Sequence, residues 1–207
     1  MRKRYWTNKE FLLSVTASVC ILLFSLILNY AAGSYATRKA SNPVSDIILD
    51  NLPVVDVDEV FVYGTVLFWL FVAGLMFYDP KRMPYMLKSI ALFTIIRSIF
   101  VSLTHIGPFP DQLVLSPRNI LQKFTFGGDL FFSGHTGLPF LLALLFWNER
   151  ILRIVFLLTS FVFAGVVLLG HLHYSIDVFA AFFITFAIYH ISQVFFKKDR
   201  HMFSPFL

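Results

Sequence analysis

The sequence predicts an all-α fold, a polytopic bundle of six transmembrane helices, on three observations. The first is composition. Of 207 residues, 57% are apolar, 26 are phenylalanine and only 14% are charged, where a soluble globular domain carries about 25% charged residues. That is too little polar surface to clothe a globule in water, and the mean hydropathy is +0.74. The second is run length: six windows reach the roughly 20 apolar residues that a spanning helix needs. The third is pattern, since the runs are continuous and an outer-membrane barrel would alternate. Disorder and coiled coil are excluded by the same numbers. The lone Cys20 excludes a disulfide-stapled domain.

The windows are Phe11–Ala32, Val60–Tyr78, Met86–Ile106, Leu130–Trp147, Ile151–Gly170 and Tyr174–Phe196. The first is longer than a signal-peptide core and has no small-residue cleavage pattern tied to export, so it is read as a span. Together the six consume most of the chain. Residues 1–207 are therefore expected to form one integral membrane domain, with no internal repeat and no low-complexity segment.

Basic residues set the sidedness. Six spans put both termini on one face, where twelve lysines and arginines meet four acids; the other face and its adjoining helix interiors carry five against eight. Basic residues in short loops stay cytoplasmic, so the termini are expected there. The basic character then reflects topology and lipid headgroups, and no nucleic-acid partner is expected. The two long loops, around 33–59 and 107–129, face outside. In the second, Ser116-Pro117 carries the N-cap and N1 signature of a helix start, which would place Arg118 and Lys123 on a short interfacial helix. Trp6, Tyr30, Tyr35, Tyr78, Tyr85 and Trp147 lie near span ends and read as interfacial belts.

Polar residues at the outer ends of the spans cluster twice, in GGDLFFSGHT (127–136) and HLHYSIDV (171–178). His135 and His173 lie 38 residues apart, room for one crossing out and one back, so both return to the outer face. The i, i+4 spacing of His173 and Asp177 is expected to present both on one helical face. Such a carboxylate can hold the imidazole in one tautomer and leave the other nitrogen as a nucleophile. A second histidine across the pocket can protonate the departing oxygen. Amides around Gly134, at a helix start, suit a phosphate. Needing one histidine neutral and one protonated, such a site should have a bell-shaped pH profile around neutrality.

The two motifs, G-D-x-x-x-S-G-H-T and then H-x-H-Y-[ST]-[IV]-D-V, resemble the signatures of the sphingomyelin synthase family, a branch of the type-2 phosphatidic acid phosphatase superfamily. Leu52-Pro53 with Asp56, and Arg97 within IIRSIFVSLTHIGPFP, extend the likeness over residues 52–195. The resemblance implies His173 as nucleophile, Asp177 as its orienting partner and His135 as general acid and later base. It implies transfer of a phospho-headgroup, of the phosphocholine or phosphoethanolamine type, from a glycerophospholipid to a ceramide- or diacylglycerol-like alcohol. The path runs through a phosphohistidine, with no metal and no cofactor. Two positions depart from the family pattern: Gly127 stands where a cysteine is frequent, and Leu172 where the animal enzymes often carry an acid.

Asp129, Ser133, Gly134, Arg97 and His171 are the candidate substrate-binding residues. Asp129 and Ser133 are equally suited to capping the fourth span, and His171 to supporting a neighbour. A charge in mid-span, as at Arg97, is functional by default, and a guanidinium fits a phosphate. His190 lies about 20 Å deeper than Asp177 at 1.5 Å per residue and reads as packing; His105 and His201 have no supporting constellation. Two other readings stand beside the transferase. One is a lipid-phosphate phosphatase, in which water replaces the alcohol; that branch carries an arginine six residues before its nucleophile, where this chain has Val167. The other is a non-enzymatic lipid-binding or transport protein. A decayed site should have lost one of the three catalytic residues, and none is lost.

Overall fold

The computed structural model describes residues 5–113 and 130–203. The described chain is helical, with α1 Lys9–Lys39, α2 Asp58–Tyr78, α3 Met83–Leu103, α4 Gly134–Leu145, α5 Arg150–Leu169, α6 Ser175–Phe195 and α7 Lys197–Phe203. Single 3-10 turns occupy Leu49–Asn51 and Pro80–Arg82. The expected helix at Ser116-Pro117, with Arg118 and Lys123, lies outside the described residues, as does Asp129.

Helix α1 starts where the Asn8 side chain accepts the amides of Glu10 and Phe11, at 2.9 and 3.4 Å. Glu10 in its first turn and Arg38 and Lys39 in its last complement the helix dipole. Its one buried seam, Phe11, Ser18, Ser25 and Ala32 with Gly33 and Ala36, repeats nearly every two turns. Small residues there let α1 close on α3, where Val101 packs against Ala32 and Ala36. The Ser18 and Ser25 hydroxyls donate to carbonyls of their own helix, so the seam holds no orphan donor. The other faces of α1 are apolar and exposed, as lipid contact requires.

Five described helices are long and apolar enough to cross a membrane: α1, α2, α3 with its preceding turn, α5 and α6. The chain is a multi-pass membrane protein. The expected fourth span, Leu130–Trp147, is a shorter helix of 12 residues. At 1.5 Å per residue it rises about 18 Å, well short of a bilayer core of about 30 Å. Its start is delayed because Phe132 takes a positive φ of 24° and Ser133 caps from extended backbone. It ends at Leu145, where the chain turns toward α5. Protein rather than lipid surrounds it: Thr136, Gly137, Pro139 and Leu141 through Leu145 are all buried.

Helix α4 is the centre of the bundle. Phe93 and Ile90 of α3, Phe156 and Phe163 of α5, and Ala181 and Ile188 of α6 form one core with its Leu141 and Leu142. At Gly137 the approach is so close that a Cβ would lie 2.7 Å from the Phe93 ring and 2.8 Å from the Thr185 hydroxyl. Ser160 of α5 donates to the Thr136 carbonyl at 2.7 Å. Helix α2 covers the far side of α5 through Phe61, Val62, Phe68 and Val72.

Both ends of α4 are tied down. Before it, Ser133 N–H donates to the Asp177 carbonyl at 3.1 Å. After it, Glu149 pairs with Arg82 at 2.5 Å. The segment 133–149 therefore runs from one end of the bundle to the other. The terminal end also gathers Ser14, Lys88 and Asp199, so the N-terminal turn of α1 and helix α7 share that end.

Candidate active site

The two polar motifs meet at the end of the bundle opposite the termini. Two hydrogen bonds stitch them together. One is Ser133 N–H to the Asp177 carbonyl; the other joins His173 Nδ1 to the Leu130 carbonyl at 2.9 Å. A carbonyl only accepts, so Nδ1 carries the proton and the neutral ring keeps its lone pair on Nε2. His173 and Asp177 are both buried.

The partnership of His173 and Asp177 differs from the expected helical face. Helix α6 begins at Ser175, so His173 precedes its cap and no i, i+4 helical register exists. Asp177 Oδ2 instead turns back to accept the Tyr174 amide at 3.0 Å, closing the start of the helix. It stands 3.6 Å from His173 Nδ1, beyond hydrogen-bond length. The Leu130 carbonyl holds the tautomer, and the Asp177 carboxylate supplies a negative charge beside the same nitrogen.

His135 is the second residue of α4. Its ring lies 4.3 Å from that of Phe61 and 5.9 Å from that of Phe163, one wall from α2 and one from α5. His173 and Arg97 are both within electrostatic reach of it, so three expected residues converge although they come from three segments.

Arg97 projects from α3 toward the start of α4. Its Nε donates to the Phe132 carbonyl at 3.0 Å and its Nη1 to Asn29 Oδ1 at 3.3 Å. The positive φ of Phe132 turns that carbonyl to meet it. A Cβ on Gly134 would come 3.5 Å from Arg97 Nε, so the guanidinium lies directly against the first turn of α4. A fixed cation beside a helix N-terminus is the arrangement that binds an anion such as a phosphate.

Ser133 is fully buried and serves as the N-cap of α4, accepting the Thr136 amide at 3.4 Å. His171 ends α5: its own amide bonds to the Leu168 carbonyl and that of Leu172 to the Val167 carbonyl, which is a Schellman closure. Its φ is 50°, an unusual conformation for a residue with a Cβ. Its ring is held by Nε2 donating to the Leu52 carbonyl at 3.1 Å and by an edge contact with Phe109. His190 packs on Phe186 and Tyr189, and His105 on Tyr35.

The site includes residues the motifs did not point to. Asn29 anchors Arg97, and Phe61 and Phe163 flank His135. Asp46, from the loop between α1 and α2, accepts the Ser175 amide at 2.7 Å. Among the described residues no group of three or more His, Cys, Asp or Glu is arranged to hold a metal.

Two histidines and a carboxylate thus lie together at one end of a bundle of apolar helices. The family model PAP2 superfamily C-terminal matches residues 127–194, a stretch that contains His135, His173 and Asp177. Over those residues the chain is similar to the type-2 phosphatidic acid phosphatase superfamily. Comparison with curated proteins and with solved structures finds no match.

Proposed function

We propose that this protein is a lipid phosphotransferase. It would move a phospho-headgroup, of the phosphocholine or phosphoethanolamine type, from a glycerophospholipid to a ceramide- or diacylglycerol-like alcohol at the non-cytoplasmic leaflet. The observation that carries the reading is the fixed tautomer of His173: Nδ1 is held by the Leu130 carbonyl and Nε2 is left as the nucleophile. In the first half-reaction Nε2 attacks phosphorus and the bond from phosphorus to the glycerol oxygen breaks. His135 gives its proton to that oxygen. In the second, the acceptor hydroxyl returns a proton to His135, its oxygen attacks phosphorus, and the P–N bond breaks to free His173. Asp177, 3.6 Å from Nδ1, offsets the positive charge of the phosphorylated ring. Arg97 and the first turn of α4 hold the phosphate oxygens. The cytoplasmic placing of the termini, and hence the outer placing of the site, rests on the distribution of basic residues.

The phosphatase reading uses the same residues with water as acceptor. Against it, Val167 is fully buried among apolar neighbours, so no cation acts from the position where that branch carries one. Product analysis of the purified protein in liposomes separates the two. Wild type and His173→Ala receive phosphatidylcholine, phosphatidylethanolamine or phosphatidic acid, with and without ceramide. Diacylglycerol appearing with a new phosphosphingolipid is expected from the wild type, with a loss of at least about a thousandfold in the variant. Free phosphate from phosphatidic acid, independent of ceramide, would establish the phosphatase. Unaltered turnover by His173→Ala would remove the nucleophile assignment.

A further inference from the structure

The start of α6 is held from outside its own neighbourhood. The first amides of a helix lack intrahelical acceptors, and the residue before α6 normally supplies one from its side chain. That residue is Tyr174, and its phenol is engaged elsewhere, donating to the Gly107 carbonyl at 2.9 Å and accepting the Val44 amide at 3.2 Å. Asp46 takes over the cap. Its Oδ2 accepts the Ser175 amide at 2.7 Å across 129 residues of sequence. Its Oδ1 accepts the amides of Ile48 and Leu49 at 2.9 and 3.2 Å, and its own N–H donates to Asp50. The carboxylate is buried and fixed at both oxygens. Asp177 holds the Tyr174 amide and Asp46 the next one, so the two peptide units that follow His173 are each clamped by a carboxylate.

We propose that Asp46 is a positioning residue for His173, acting through the Ser175 amide. The inference rests on reading His173 as the nucleophile. Its physical content is that the bond from His173 Nδ1 to the Leu130 carbonyl needs the backbone after His173 in one place. Freed from Asp46, the first turn of α6 frays and the ring loses its aim, while the groups that bind phosphate on α3 and α4 stay where they are.

The test removes the contact from each side. Asp46→Ala deletes the acceptor, and Asp46→Asn keeps one oxygen for the bond, with an NH2 in place of the Oδ1 that accepts Ile48 and Leu49. Ser175→Pro deletes the donor amide together with the Ser175 hydroxyl that also bonds Asp46; proline is favoured at the first position of a helix, and Tyr174 already has φ −66° and ψ 155°, which suits a residue before proline. Wild type, the three variants and the Asp46→Ala/Ser175→Pro double variant are assayed as full chains in liposomes for kcat and KM per folded molecule. Amide exchange over residues 171–178 is followed in the same samples without substrate.

Asp46→Ala and Ser175→Pro are each expected to lower kcat about tenfold with KM within about twofold, and the double variant to be no worse than either. Asp46→Asn is expected to recover part of the loss. Exchange in 171–178 should quicken about tenfold in Asp46→Ala and stay as in wild type at the start of α4. Losses that multiply in the double variant, a loss confined to KM, or wild-type kcat in Asp46→Ala would overturn the proposal. Should the wild type turn over none of the lipids, the transferase reading fails, and exchange alone then decides: unchanged protection of 171–178 in Asp46→Ala removes the clamp.

Discussion

At the end of the bundle that carries the termini, cations are held by carboxylates. Lys88 Nζ lies 2.6 Å from Asp199 Oδ2, and Ser14 bridges the pair. Arg82 sits between Asp79 and Glu149, with its guanidinium over the Phe146 ring. At the opposite end the ring nitrogens of His173 and His171 are held by backbone carbonyls, those of Leu130 and Leu52. A carboxylate neutralises a charge and its work is then finished. A carbonyl fixes which nitrogen carries the proton and leaves the other one open to chemistry. The same bundle thus uses its buried polar groups to tie helices together at one end and to hold a tautomer at the other.

The sharpest way to break that contrast is at Lys88. Lys88→Met leaves Asp199 buried without its cation, and breaking a buried pair by one partner costs about 3–5 kcal/mol. Unfolding in denaturant should show a loss of that order, with kcat per folded molecule unchanged, because the pair is at the far end from His173. Replacing both partners, as Lys88→Met with Asp199→Leu, should restore most of the stability. A Lys88→Met protein of full stability and lost turnover would mean that the terminal end takes part in the reaction.

A smaller effect is expected between the two ends. Gly137→Ala places a methyl 2.7 Å from the Phe93 ring and 2.8 Å from the Thr185 hydroxyl, both in the tight core around α4. Overpacking of this kind costs about 1–3 kcal/mol. Thermal unfolding should show it, together with some loss of turnover, since His135 lies two residues away on the same helix. Wild-type stability would mean that α3 and α6 yield around α4, and that α4 is less tightly enclosed than its buried face suggests.

How far the molecule is legible in its sequence depends on what each feature needs. The long helices need only apolar runs, and α2, α3, α5 and α6 start and stop within a few residues of the windows. Helix α4 is overestimated because Leu130–Phe132 are apolar yet non-helical; hydropathy is blind to the positive φ of Phe132. His135, His173, Asp177 and Arg97 are legible because each is a polar group in an apolar context. Their geometry is not. The spacing of His173 and Asp177 reads as one helical turn, whereas the helix begins between them and the carboxylate is spent on its cap. Asp46 leaves no trace in the motifs, because the amide it accepts could come from any residue at 175 but proline, and the Ser175 hydroxyl that joins it is not a signal on its own.

The smallest effect concerns the charge at Asp46. Burial pushes its carboxyl up, but hydrogen bonds from Ser175, Leu49 and Ile48 outweigh that and hold it below the ordinary carboxylate range. The sign follows from linkage. A carboxyl with a depressed pKa in the folded state contributes stability above its unfolded value of about 3.9, and that contribution is lost as pH falls through the lower folded value. Asp46→Asn keeps one acceptor oxygen, for Ser175, but sets an NH2 where Oδ1 accepts the amides of Ile48 and Leu49, so its difference from wild type combines the lost charge with those lost bonds, about 1 kcal/mol. Melting temperatures from pH 6 to pH 3 should keep wild type above the variant by a constant margin down to about pH 4, with the margin closing in stronger acid. A margin that closes between pH 6 and pH 5 would mean that the carboxyl is not held down by those amides, and the clamp on the backbone after His173 would then lack its ionic part.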